Sequence, residues 1–190
     1  MKTVLRYAYN QMRRRQIQSF GLVIGLALAL TACFNEPNFS DTPSISFLGI
    51  SRYPINTTTG VGAGRRDSVV VTIQFQDGNG DLGESTADTA YIRSRYGNQT
   101  WGNYQIRTFQ YVNKQFVEIP LNENNKLWFP RLTRDGAKGP IEGELQFSQI
   151  YFYGLRYKLI PVKYRIKIRD RAFNESNEIE TDTLSVPFPN

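Results

Sequence analysis

Residues 162–169 alternate without a break. Val162, Tyr164, Ile166 and Ile168 share one parity, and Lys163, Arg165, Lys167 and Arg169 share the other. A period of two describes a strand with one face in a core and one in water, and a helix of period 3.6 cannot satisfy it. Residues 68–76 repeat the pattern, with Val69, Val71, Ile73 and Phe75 set against Ser68, Thr72 and Gln74. In residues 141–153, Leu145, Phe147, Tyr151 and Tyr153 again share a parity. Shorter strands are predicted over 44–50, 91–96, 104–112 and 116–121, separated by Gly97, Gly102 and Asn113. Residues 127–132 are ambiguous, because Pro130 would need a sheet edge. Residues 56–66, a Thr run with Gly60, Gly62 and Gly64, read as a flexible loop. No helical stretch, repeat or second hydrophobic cluster emerges. Seven or so short strands with turns between them predict one all-β domain, an antiparallel β-sandwich.

The closing hairpin carries a charge code. Glu178, Glu180 and Asp182 repeat at the spacing of the cationic stripe. Folding the chain about residues 173 and 174 predicts Lys167 beside Glu180 and Arg169 beside Glu178. Such cross-strand pairs contribute roughly 0.2–1 kcal/mol each and help to set register. The cationic stripe therefore reads as a paired, solvated face.

The start of the chain follows different rules. Residues 1–19 carry Lys2, Arg6, Arg13, Arg14 and Arg15 with no acid, and an apolar run over 20–32 follows. That order describes a secretory signal, and the run is shorter than the ~20 residues a spanning helix needs. Met12-Arg13-Arg14-Arg15 would open such a signal as well as Met1 does. Leu30-Thr31-Ala32-Cys33 resembles the bacterial lipobox, which implies a diacylglycerol on the Cys33 thiol and cleavage before it. The expected division is a signal peptide over 1–32, lipidated Cys33 with a polar tether over 33–43, and the sandwich over 44–190. Phe34 behind the Cys points to the outer rather than the inner membrane of a Gram-negative envelope. Five of the 23 cations and none of the 17 acids precede Cys33, which leaves 18 against 17. The basic balance belongs to the signal, so no nucleic-acid partner is expected.

The inventory excludes whole classes of chemistry. The chain has no His, and its one Cys is the proposed lipid site. Ser-His-Asp and Cys-His nucleophiles, His/Cys zinc sites and intrachain disulfides are ruled out. What remains rests on carboxylates, Lys, Tyr or oxygen-ligated metals.

Residues 73–83, Ile-Gln-Phe-Gln-Asp-Gly-Asn-Gly-Asp-Leu-Gly, are similar to a stretch of uncharacterised Bacteroidetes lipoproteins, as is Lys138-Gly-Pro-Ile-Glu-Gly-Glu144. Residues 168–177 resemble the "D-x-A-G-N-x-S" ending of bacterial immunoglobulin-like domains, with Phe173 where Gly is usual. These resemblances imply an immunoglobulin-like sandwich and no activity.

Residues 77–88 carry the chemistry. Asp77, Asn79 and Asp81 alternate with Gly78 and Gly80, which offers oxygens at positions 1, 3 and 5 of a Ca²⁺ loop. Leu82 stands where an EF-hand needs Gly, position 12 is Asp88, and Glu84 lies within reach. Asp-Gly and Asn-Gly pairs also make ordinary turns. If residues 68–76 and 158–169 are strands B and F of an immunoglobulin-like sandwich, their following loops share a pole. Asp77, Asn79, Asp81, Glu84, Asp88, Asp170 and Asn174 are therefore the candidate Ca²⁺ ligands. Trp101, Tyr104, Trp128 and Phe129 either stack on sugars or fill a core, and Glu142 and Glu144 read as a solvated face. The expected protein is a non-enzymatic, lipid-anchored binding or structural accessory module with a protein or glycan partner. The alternatives are a carbohydrate-binding module, marked by an exposed row of Trp101, Tyr104 and Trp128, and a carboxylate-based glycan-active enzyme.

Overall fold

Each strong alternation becomes a strand. The computed structural model describes residues 37–57, 64–120, 127–134 and 137–189, within a compact unit, Pro37–Asn190. The proposed signal peptide and Cys33 lie outside the described residues. The strands are β1 (Ser44–Thr57), β2 (Gly64–Asp77), β3 (Tyr104–Val112), β4 (Gln115–Ile119), β5 (Ile141–Phe152), β6 (Tyr157–Ile168), β7 (Ile179–Glu180) and β8 (Leu184–Pro189). One antiparallel sheet runs in the order β1-β2-β5. The other runs β4-β3-β6-β7, with β8 pairing β6 further along the same strand. This is an all-β sandwich of two antiparallel sheets.

The core is what the alternation predicts. Val69, Val71, Ile73 and Phe75 of β2 face Val162, Tyr164, Ile166 and Ile168 of β6, and all eight are buried. Among the described residues, the buried core cluster runs from Ile45 to Val186, within the compact unit Pro37–Asn190. Two tyrosines bridge the layers: the Tyr151 and Tyr164 hydroxyls lie 2.6 Å apart. Burial pushes the Tyr151 phenol up to about 12 and raises that of Tyr164 further, so this pair stays neutral.

Tyr104 is a different case. Its ring stacks on Phe147 at 5.6 Å, and its buried hydroxyl has no hydrogen-bond partner among the described residues. An orphaned buried hydroxyl costs about 1–3 kcal/mol. Tyr104→Phe is expected to stabilise the domain by about 1 kcal/mol in urea titration, with an unchanged m-value.

Three expectations are corrected and one ambiguous stretch is settled. Residues 91–96 are not a strand but lie in a helix, α1 (Thr89–Tyr96). Asp88 caps it by accepting from the Tyr91 amide at 2.9 Å, and within it only Tyr96 is buried. Such a helix has no apolar stripe for periodicity to reveal. Residues 56–57 and 64–66, expected in a loop, lie in strands instead, with Asn56 opposite Arg65, and residues 58–63 of that expected loop lie outside the described residues. Residues 127–132 form no strand, only a bridge from Leu127 to Tyr104.

The closing hairpin is the third correction, its register slipped by two residues. Arg165 stands opposite Glu180, and Glu180 binds both Lys163 (2.7 Å) and Arg165 (2.9 Å). Lys167 pairs with Glu175 at 3.1 Å, and Glu178 reaches Arg107 on β3 at 2.9 Å. A two-residue slip preserves the face of every side chain, so the hydrophobic pattern could not report it. Arg169 leaves the stripe altogether and is buried.

Candidate metal centre

The loops after β2 and β6 emerge at one end of the sandwich and pair there. Leu82 bridges Asp170, and the Arg171 amide donates to the Asp81 carbonyl at 3.2 Å. Leu82, the residue that departs from an EF-hand, is fully buried in the core and seats the loop. Gly83 follows at φ 83, where a Cβ would overlap the Pro130 carbonyl. On the other side Gly78 donates to the Ser40 carbonyl at 2.8 Å, and any side chain there would meet the backbone of Phe39 and Ser40. Residues 39–40, read from sequence as tether, thus pack on this pole.

Asp77, Asp81 and Asp170 converge, each offering a carboxylate oxygen within 4.8 Å of the other two. Asp77 is fully buried. Its Oδ2 accepts from the Asp81 amide at 3.1 Å, while its Oδ1, also buried, has no partner among the described residues. Asp81 Oδ1 is likewise buried and without one. Burial, then the Asp81 charge, pushes the Asp77 carboxyl up to about 6, against the Asp81 and Gly80 amides. Burial and the Asp170 charge raise Asp81 too, partly offset by Arg171 and the Ala172 amide. Three acids at this spacing repel one another unless protonated or bridged by a cation, and all-oxygen donors suit hard Ca²⁺ or Mg²⁺.

The other candidate ligands have different duties. Asn79 Oδ1 accepts from the Asp81 amide at 3.1 Å and so closes the turn. Asn174 donates its amide and its side-chain Nδ2 to the two oxygens of Asp170, at 2.8 and 2.7 Å, and so orients that carboxylate. Glu84 and Asp88 do not join the triad. Glu84 is buried and accepts from Arg131, the Ser85 amide and the Tyr91 hydroxyl, and Asp88 is spent as the α1 cap. An EF-hand loop curls round its ion and returns to it at position 12, whereas here Leu82 plunges into the core and sends residues 84–88 elsewhere.

Phe173, the substituted glycine of the loop, keeps the backbone a glycine would adopt, at φ 69. A tilted ring contact with Tyr96, centroids 5.0 Å apart, and the nearby Arg169 guanidinium hold it there. Arg171 was not legible as a site residue. Its guanidinium donates to the Leu82 and Gly83 carbonyls at 3.3 and 3.1 Å and ties the two loops together. No spacing rule marks such a side chain-to-backbone strut.

Beside this pole lies a cleft of about 890 Å³, bordered by Glu84, Asp88, Tyr91, Trp128 and Arg131 among others. The exposed row of Trp101, Tyr104 and Trp128 that would mark a carbohydrate-binding module does not form: Trp101 and Tyr104 are buried, and of the three Trp128 borders the cleft. The two acids of the cleft are the ones already committed to Arg131 and to the α1 cap. No protein family, curated protein or solved structure matches the chain.

Proposed function

We propose that the protein is a lipid-anchored accessory module of a Gram-negative envelope, held at the outer membrane through Cys33. Its immunoglobulin-like sandwich presents a pole built around a calcium ion. The strand orders support the immunoglobulin-like reading: β1, β2 and β5 take the places of A, B and E, and β4, β3, β6 and β7/β8 those of C′, C, F and G. The observation that carries the cation is the fully buried Asp77 carboxylate, whose unpartnered Oδ1 sits among two further acids. Asp77, Asp81 and Asp170 would hold the ion, with Asn79 and Asn174 shaping its cradle.

A thermal melt of residues 37–190 with calcium and with a chelator tests this. At 100 times Kd a ligand adds about 2.7 kcal/mol, or several degrees for a domain this size. The shift is expected in the wild type and not in Asp81→Asn; an identical melt in both buffers would return the loop to a plain turn. The anchor has its own test: labelled palmitate should enter the full chain and not the Cys33→Ser variant.

The cleft at Trp128 favours a second reading, recognition of a neutral glycan, since sugar rings stack on aromatic faces and Tyr91 brings a second ring to the same cleft. Quenching of Trp fluorescence by soluble β-glucan, mannan or xylan, lost in Trp128→Leu, would establish it.

A further inference from the structure

The end of the sandwich opposite the acid pole has a different character. Here β5 ends and β6 begins, joined by Tyr153-Gly154-Leu155-Arg156. Leu155 is as exposed as a side chain can be, at 108 %, and Phe152 is 64 % exposed, Tyr53 55 % and Leu159 52 %. Register explains part of this grouping. Tyr53, Ser68 and Ile150 form one cross-strand row on the outer sheet face, and Ile55, Arg66 and Phe152 form the next. An apolar group of this size at a protruding tip marks a contact surface.

The tip is braced. The Tyr153 hydroxyl donates to Asp67 at 2.8 Å, and its ring meets Tyr157 edge-on at 4.6 Å and carries the Arg65 guanidinium at 4.1 Å. Leu155 therefore projects from a fixed base.

Charge says what the tip meets. The strand ends at this pole, residues 52–57, 64–67, 150–159 and 184–189, contain Arg52, Arg65, Arg66, Arg156 and Lys158. Their one carboxylate, Asp67, is buried and held by Tyr153 and Arg52. Asp41, Asp77, Asp81 and Asp170 gather at the other pole, about 40 Å away along strands of 12 residues. Protruding Leu and Phe, tyrosines behind them and a ring of cations make the pattern of a surface that dips into a lipid interface. A protein partner would have to supply a pocket shaped for the tip, whereas a bilayer accepts protruding side chains without a matching shape.

We propose that this pole is a docking surface for anionic lipid bilayers, with Leu155 and Phe152 entering the interface and Arg156 and Lys158 binding headgroup phosphates. The contact is separate from the Cys33 anchor and from the cation site.

Vesicle flotation of residues 37–190, which lack Cys33, tests it, with chelator present so that no metal bridges protein to lipid. The domain should float with phosphatidylcholine vesicles containing 30 % phosphatidylglycerol and bind pure phosphatidylcholine at least tenfold more weakly. Leu155→Ser should weaken flotation at least tenfold at an unchanged melting temperature, since its side chain supports nothing in the fold. Lys158→Glu should weaken it severalfold and flatten its salt dependence. Failure to float with anionic vesicles, equal binding to both compositions, or full binding by Leu155→Ser would each overturn the proposal.

Discussion

Asp77→Asn is expected to raise the melting temperature of the metal-free domain and to abolish its response to calcium. The wild-type carboxylate is fully buried, faces Asp81 and Asp170, and has one oxygen without a donor. Asp41 adds negative charge at Asp81, and Arg171 offsets part of it. The Asp77 pKa of about 6 in the fold stands above the ordinary 3.8, so the ionised form destabilises the folded state. Its contribution to stability is complete below about pH 4 and is lost as pH rises through about 6. At pH 7 without metal, the Asn variant should therefore gain on the order of 2 kcal/mol, or about 4–8 °C. The wild type should gain on the order of 1 kcal/mol relative to this variant between pH 7 and pH 5. Under the proposed calcium site, calcium is expected to reverse the ranking, because a bound cation would reward the charge that burial penalises. Melts of both proteins at pH 5 and 7, with calcium and with chelator, read all of this. A variant less stable than the wild type in chelator at pH 7 would contradict the buried-charge account.

The second large effect belongs to Arg169. Its guanidinium is buried and has no carboxylate partner among the described residues. Nε donates to the Gly102 carbonyl at 2.6 Å, Nη1 to Gln99 Oε1 at 2.9 Å and Nη2 to the Trp101 carbonyl. The group lies 4.2 Å from the Trp101 ring centroid and close to those of Tyr96 and Phe173. Burial lowers its pKa, yet an Arg keeps its charge at any ordinary pH. Arg169→Ala would leave three acceptors unsatisfied around a cavity, at an expected cost of about 3–5 kcal/mol. Arg169→Lys should recover less than half, because one ammonium cannot span the three acceptors that the planar fork reaches. Urea titrations of both variants give the two numbers. A loss under 1 kcal/mol for Arg169→Ala would show that Phe173 and Tyr96 hold the loop unaided. Because Asp170 follows directly, the Ala variant should also weaken calcium binding.

Much of this protein could be read from its residues. Alternation in β2, β5 and β6 named the buried faces, since a half-buried strand must repeat every second residue. The alternating Asp77, Asn79 and Asp81 named the loop, and strand order placed Asp170 beside it. The absence of His left only oxygen ligands to consider. Tertiary structure alone decided the rest. It took Glu84 for Arg131 and Asp88 for a helix cap, and it drew Arg169 out of a stripe it matched in sequence. It also slipped the last hairpin by two residues and gathered Tyr53, Phe152 and Leu155 at one tip. The physical reason is common to all of these. Periodicity reports which face of a strand meets the core, because burial acts on every residue of the strand together. The partner of a single charge depends on loops that close through packing, and residues 47 or 88 positions apart leave no local mark of meeting.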